Sequence, residues 1–306
     1  MCKNTFYLVC DESGAKAQSD KQAKDTGIQL GVFAGILFRS KNKYEEFCNK
    51  ICALAEKCQL NDSSKIHITD IDNAKKEPLR EQIFELIKTS DAYCVYEALP
   101  QDGLFNFIAN QNQLNTQIMQ DNLDKGYKIN PTRSKESLHA ELFIGMFMRA
   151  FSTCATYADG FDFTLHIITD KISGMKKSFE EKINEILNFS EQSEQDITST
   201  RYNISTGEVE INKGKIKFDI TMPAELRMPG IGKFQYTLEE STDDRTLAAD
   251  ILANSLLYSL NKVFSENPSI RLTSTAAIAL HPLKNIFTCL TNENDYDFMQ
   301  SIYSYK

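Results

Sequence analysis

A layered α/β fold is predicted for this 306-residue chain by three features. Short apolar runs end on acids or turn residues, as in Phe6-Tyr7-Leu8-Val9-Cys10 before Asp11 and in 161–169 before Asp170. Stretches with helical spacing alternate with those runs. The stretch 137–151 is apolar around most of its surface, as a helix buried against a sheet must be. Strands interleaved with helices bury their apolar faces best as a sheet covered by helices. A chain of this length closes a full core without disulfides or metal staples.

In order, Phe6–Cys10 reads as a buried strand stopped by the turn Asp11-Glu12-Ser13-Gly14. Residues 15–26 are polar and read as a loop. Ile28–Phe38 is apolar throughout and reads as a second central strand, forming a hairpin with the first. Tyr44–Leu60 carries Phe47, Ile51, Leu54 and Ala55 on one helical side. Lys65–Asp70 reads as a short strand or strand end. Pro78 suits the first turn of a helix over Leu79–Thr89, where its missing N–H costs little. Ala92–Leu99 is a strand. Residues 101–135, rich in Asn and Gln, read as a helical insertion with a loop near 126–132. Ser134 is placed to cap the apolar helix Ser137–Phe151. Phe161–Thr169 is a strand and Lys176–Phe189 an amphipathic helix. Two weak strands follow at Thr200–Ile204 and Glu208–Asn212, then a strand at Lys215–Met222 and a turn-like segment with Pro223, Pro229, Gly230 and Gly232. Asp243 or Asp244 caps a helix over Arg245–Phe264. The tail shows no motif. One domain over 1–306 is expected, with the insertion at 101–135 and a C-terminal extension from 265.

The net charge of -8 argues against a nonspecific nucleic-acid coat protein, which is usually basic. It leaves room for a nuclease, because a carboxylate metal site itself adds negative charge. Eight cysteines form no CxxC pair. Cys48, Cys52 and Cys58 cluster but lack a nearby fourth ligand, so they read as buried, reduced thiols rather than a zinc site. No signal-peptide pattern and no apolar stretch of spanning length is present, so a cytoplasmic protein without a membrane partner is expected.

Three acids stand where acids are costly. Asp11 and Asp170 directly follow apolar strands, and Asp250 lies inside Leu247-Ala248-Ala249-Asp250-Ile251-Leu252-Ala253. An ionised carboxylate facing a core must be paired, hydrogen-bonded or metal-bound. Each has a simpler reading: Asp11 as a turn former, Asp170 as a helix cap, Asp250 as a solvated helix position. Together they form the carboxylate set that hard cations such as Mg²⁺ or Mn²⁺ prefer, and two such ions activate water and stabilise the leaving oxygen of a phosphodiester. His67 and Asp70 form an HxxD pair at a strand end. His67 reads as a ligand, proton shuttle or phosphate contact, or equally as a histidine bonded to a backbone carbonyl. His139 and Glu141 lie two apart on a helix, so at most one faces a given site. His166 and His281 read as structural.

The runs Tyr7-Leu8-Val9-Cys10-Asp11-Glu12-Ser13-Gly14, Phe33-Ala34-Gly35-Ile36, Ile66-His67-Ile68-Thr69-Asp70, Ile167-Ile168-Thr169-Asp170 and Leu247–Ala253 together resemble the bacterial domain-of-unknown-function 3800 family, over Phe6 to Val263 with large insertions. The resemblance implies an RNase H-like, mixed central sheet flanked by helices. It also implies a metal-dependent nuclease in which Asp11, Asp170 and Asp250 hold the metals and Glu12 either supports those ligands from behind or serves as an alternate ligand. Members often lie near mobile-element and phage-defence genes, which implies a defence effector or toxin. The chain departs from that family in its acidic balance, in the Asn/Gln-rich segment and in the polar stretch 190–215.

Two functional readings follow. One is a Mg²⁺- or Mn²⁺-dependent nuclease on DNA or RNA, with Asp11, Asp170 and Asp250 as metal ligands, Glu12 and His67 assisting, and Lys65, Lys171, Lys176 or Lys177 as phosphate contacts. The other is a non-catalytic subunit with the same fold that binds a protein partner in a defence complex.

Overall fold

The computed structural model describes residues 4–14, 30–57, 66–129, 137–170, 176–191, 194–217 and 233–291. Among them are eight strands and six helices. β1 (Asn4–Gly14), β2 (Leu30–Phe38), β3 (Ala92–Pro100), β5 (Phe163–Thr169) and β8 (Gln235–Glu240) form one five-stranded sheet in the order β3-β2-β1-β5-β8. β2 runs antiparallel to both β1 and β3, whereas β5 is parallel to β1 and β8 is parallel to β5. The sheet is therefore mixed, and helices cover both faces.

Every residue of β2 is buried, which explains its unbroken apolar run. The helix α6 (Leu247–Glu266) packs on β1 and β2 from one side, with α1 (Lys41–Lys57) and α2 (Asn73–Thr89) in the same core. The helix α4 (Leu138–Ala158) packs on β2 and β3 from the other side, joined by α5 (Lys176–Glu191). Alternation along β1 sends Val9 to the α6 core and Leu8 and Cys10 to the α4 core. Gly14 ends β1 at a φ of +93°, and a Cβ there would lie 2.4 Å from the Leu30 carbonyl oxygen. Only glycine closes the strand at that point.

Several elements differ from their expected form. Lys65 lies outside the described residues; Ile66 and His67 are extended and Ile68–Asp70 is a single 3₁₀ turn, not a strand. α2 begins at Asn73 because Asp72 Oδ1 accepts the Ala74 N–H at 3.0 Å, so Pro78 sits inside the helix rather than in its first turn. α4 starts after Ser137; Ser134 lies outside the described residues. The weak strands lengthen to β6 (Glu194–Asn203) and β7 (Val209–Lys217), and the strand expected to run to Met222 is described only as far as Lys217. They pair with β4 (Tyr127–Lys128), which follows α3 (Gln101–Leu123), in a small sheet ordered β4-β6-β7. The sequence reading left β8 without an assignment.

The described residues after α6, 267–291, pack into the core. Leu272, Ala277, Ile278, Leu283 and Phe287 are buried. Cys94 donates its N–H to Ile286 and accepts one from Thr288, so this segment covers the outer edge of β3. Arg149 on α4 ties the two together, contacting Glu97 on β3 at 3.2 Å and donating to the Cys289 carbonyl at 2.6 Å.

Candidate active site

β1 and β5 are parallel neighbours, in register at Cys10 and Thr169, so the residues that follow these two, Asp11 and Asp170, fall side by side at the same end of the sheet. α6 crosses that end and carries Asp250 in its first turn. All three side chains are buried, at 4%, 9% and 8% exposure. They are close enough to interact. Burial, then the charges of Glu12, Asp250 and Asp170, push the Asp11 carboxyl well above the ordinary carboxylate range, against a bond from the Glu12 N–H to Asp11 Oδ1 at 2.8 Å. Three acids from elements far apart in sequence thus meet at one sheet end, where open α/β sheets place their ligand sites.

His67 stands between two of them. Its Nε2 is 3.6 Å from Asp170 Oδ2 and its Nδ1 is 3.8 Å from Asp250 Oδ2. Its side chain is half-exposed, whereas both partners are nearly covered. The loop that carries it is fixed by the start of α6 at two points. Asp244 Oδ1 accepts the Ile66 N–H at 2.9 Å, and Asp250 Oδ2 accepts the Ile68 N–H at 2.7 Å. Arg245 in turn is clamped by Asp243 through both carboxylate oxygens and donates to the Tyr44 hydroxyl. His67 of the HxxD pair is thus brought to the carboxylates, and the side chain of Asp70 lies outside the described ones.

Glu12 points the other way. One residue along β1 reverses the side-chain direction, and Glu12 Oε2 lies 3.3 Å from His139 Nε2 on α4. Glu141 turns instead to Lys182 on α5, at 3.1 Å. The sequence reading missed the Glu12–His139 contact, although the alternation of β1 signalled that Asp11 and Glu12 part company. Lys171 and Lys65 lie outside the described residues, and Lys177 is an exposed partner of Glu181 on its own helix.

The donor set suits a hard divalent cation in chemistry, and the mutual repulsion that raises Asp11 is what such an ion relieves. In spacing it is not ready-made. Among the described residues no group of three or more His, Cys, Asp or Glu side chains is disposed to hold a metal ion as it stands. His67 lies between two of the acids, and one Asp250 oxygen is engaged by Ile68. The six described cysteines are free thiols.

One other pairing mimics a nucleophile with its base. Ser255 Oγ lies 3.1 Å from His281 Nε2. His281 Nδ1 accepts the Leu283 N–H, so the ring proton resides on Nε2 and is donated to the serine. A histidine in that state cannot take the serine's proton, and the pair instead pins the C-terminal segment to α6.

Among the described residues no helix is long and apolar enough to cross a membrane. Compared with known proteins, the chain matches no family model, and no curated protein matches it.

Proposed function

We propose that this chain is a metal-dependent nuclease with an RNase H-like core that hydrolyses phosphodiester bonds in DNA or RNA. The observation that carries the proposal is the meeting of Asp11, Asp170 and Asp250 at one sheet end from β1, the end of β5 and the last long helix. The strand order β3-β2-β1-β5-β8, with β2 reversed, supports the RNase H-like reading. So do the motif residues that resemble the domain-of-unknown-function 3800 family.

In this reading Asp11, Asp170 and Asp250 hold Mg²⁺ or Mn²⁺, and Glu12 acts from the far face of the sheet through its charge on Asp11 rather than as a ligand. When bound, the cation activates water and stabilises the leaving oxygen. His67, half-exposed at the mouth of the acidic cluster, is placed to contact a phosphate oxygen or to carry a proton. Its position between Asp170 and Asp250 means that loading the site shifts the histidine. A phage-defence role is carried by the family resemblance.

A second reading has its own support. α3 leaves Leu114 and Ile118, one turn apart on the same side of the helix, about half-exposed, at 52% and 47%. That is a surface for a protein partner of a non-catalytic subunit.

The deciding experiment is cleavage of single- and double-stranded DNA and RNA with Mn²⁺, Mg²⁺ or chelator, comparing wild type with Asp11→Asn and Asp250→Asn. Metal-dependent cutting lost in both folded variants is the expected result. No cutting by wild type on any substrate, or cutting unaffected by both variants, overturns the nuclease reading.

A further inference from the structure

We infer that one face of the β4-β6-β7 sheet is a binding surface for single-stranded nucleic acid, separate from the carboxylate cluster. The inference deepens the nuclease reading by naming the form of the substrate, and it rests on that reading only for the identity of the polymer. Register fixes what the face displays. Tyr202 stands opposite Lys128 on β4 and Val209 on β7, Thr200 opposite Ile211, and Thr198 opposite Lys213. Paired residues in an antiparallel sheet share a face, so Lys128, Tyr202, Val209, Ile211 and Lys213 lie on one side.

That side is open. Tyr202 is 42% exposed and Val209 and Ile211 are each 61% exposed, and both lysines are exposed. The opposite side satisfies itself: Arg201 pairs with Glu210 at 2.8 Å and stacks over the Tyr127 ring at 4.0 Å. That leaves the first face carrying lysines at both ends of an apolar and aromatic strip, with hydroxyls between, in a chain whose net charge is -8.

Charge complementarity selects an anionic ligand. The exposed tyrosine and the flat aliphatic strip select one with unpaired, stackable bases, because duplex bases offer no free π-face to a sheet. The chain order links the two places: α5 follows Asp170 and leads into β6.

The test is fluorescence anisotropy in chelator, on an Asp11→Asn background. The probes are labelled oligothymidylate and oligouridylate of about 16 nucleotides, with a duplex of the same length for comparison. Binding is thereby read without cleavage, so a failed nuclease reading leaves the measurement interpretable. Single strands are expected to bind in preference to the duplex. Lys128→Glu with Lys213→Glu is expected to weaken binding at least tenfold, and neutralising each lysine to lower the salt slope by about 0.7. Tyr202→Ala is expected to weaken it by about tenfold. Lys75→Glu on exposed α2 serves as the control for bulk charge. No binding, equal binding of duplex, or an equal effect of Lys75→Glu overturns the inference. So does self-association, seen by sedimentation, that Val209→Ser with Ile211→Ser abolishes while oligonucleotide binding is unchanged, because the face then belongs to a second copy.

Discussion

Asp250 Oδ2 accepts the main-chain N–H of Ile68 at 2.7 Å, joining residues 182 apart in sequence. The bond explains how an acid survives inside an apolar helix turn, and it makes Asp250 both a charge and a clasp. The two roles separate by mutation. Asp250→Asn keeps a carbonyl oxygen for Ile68 and removes the charge, so its stability stays near wild type. Asp250→Ala strands a buried N–H and costs about 1–3 kcal/mol. Urea denaturation of both variants checks this, and an Asn variant as unstable as the Ala variant rules out the clasp.

The raised Asp11 carboxyl gives a second expectation. Its causes are burial first, then Glu12, Asp250 and Asp170. A carboxyl whose folded pKa exceeds its unfolded value holds a proton in the native state that the unfolded state has lost. Between those two values stability therefore falls as pH rises, and above both the native state carries the whole penalty. Asp11→Asn removes that penalty and should stabilise the protein at neutral pH, seen as a higher Tm. The gain should shrink as pH drops through the raised pKa. Mn²⁺ should raise the wild-type Tm and leave the variant nearly unmoved. Calorimetry across pH, with and without the ion, measures both, and a destabilised Asn variant at pH 7 contradicts the expectation.

His67 competes with any cation for Asp170 and Asp250. Half-exposed side-chain contacts of this kind, at 3.6 and 3.8 Å, are worth up to ~1 kcal/mol, so His67→Ala should tighten Mn²⁺ binding by up to about fivefold. Titration calorimetry reads the affinity directly. Weaker binding in the variant would make His67 a ligand instead.

Much of this arrangement is legible in the sequence because it rests on local cost. An acid after Cys10, another after Thr169 and a third among alanines and leucines are each expensive, and the fold resolves that expense by bringing them together. β2 is legible for the same reason: a strand buried on both faces must be apolar throughout. What escapes the sequence depends on partners. β8 lies beside β5 and buries Leu238, with Phe234 buried just before it, but the polar residues on either side of them leave only a short, weak alternation. The residues 267–291 carry no period, because they are held by single contacts such as Tyr96 Oη to the Leu272 carbonyl and Arg149 to the Cys289 carbonyl. Nor does spacing reveal that His67 reaches Asp170, since that contact depends on where Asp244 and Asp250 anchor its loop.

The buried His281 offers a test of that C-terminal clasp. It is almost wholly covered, lies between the Phe84 and Phe287 rings, donates to Ser255 and accepts from Leu283. Burial, then the charge of Arg80, lowers its pKa from 6.5 to about 4. The native state thus keeps the ring neutral while the unfolded chain takes up a proton below pH 6.5, so stability is full above that pH and is lost as pH falls towards 4. The shift corresponds to a loss of up to ~3 kcal/mol at the acid end. His281→Phe fills the space without a titrating group but leaves Ser255 and Leu283 without their ring partner, at about 1–3 kcal/mol. At pH 7.5 the variant should therefore be the less stable protein, and the gap should narrow or reverse by pH 4.5. Urea midpoints at the two pH values decide it: curves that stay parallel would mean that His281 is not the group through which acid loosens the C-terminal segment.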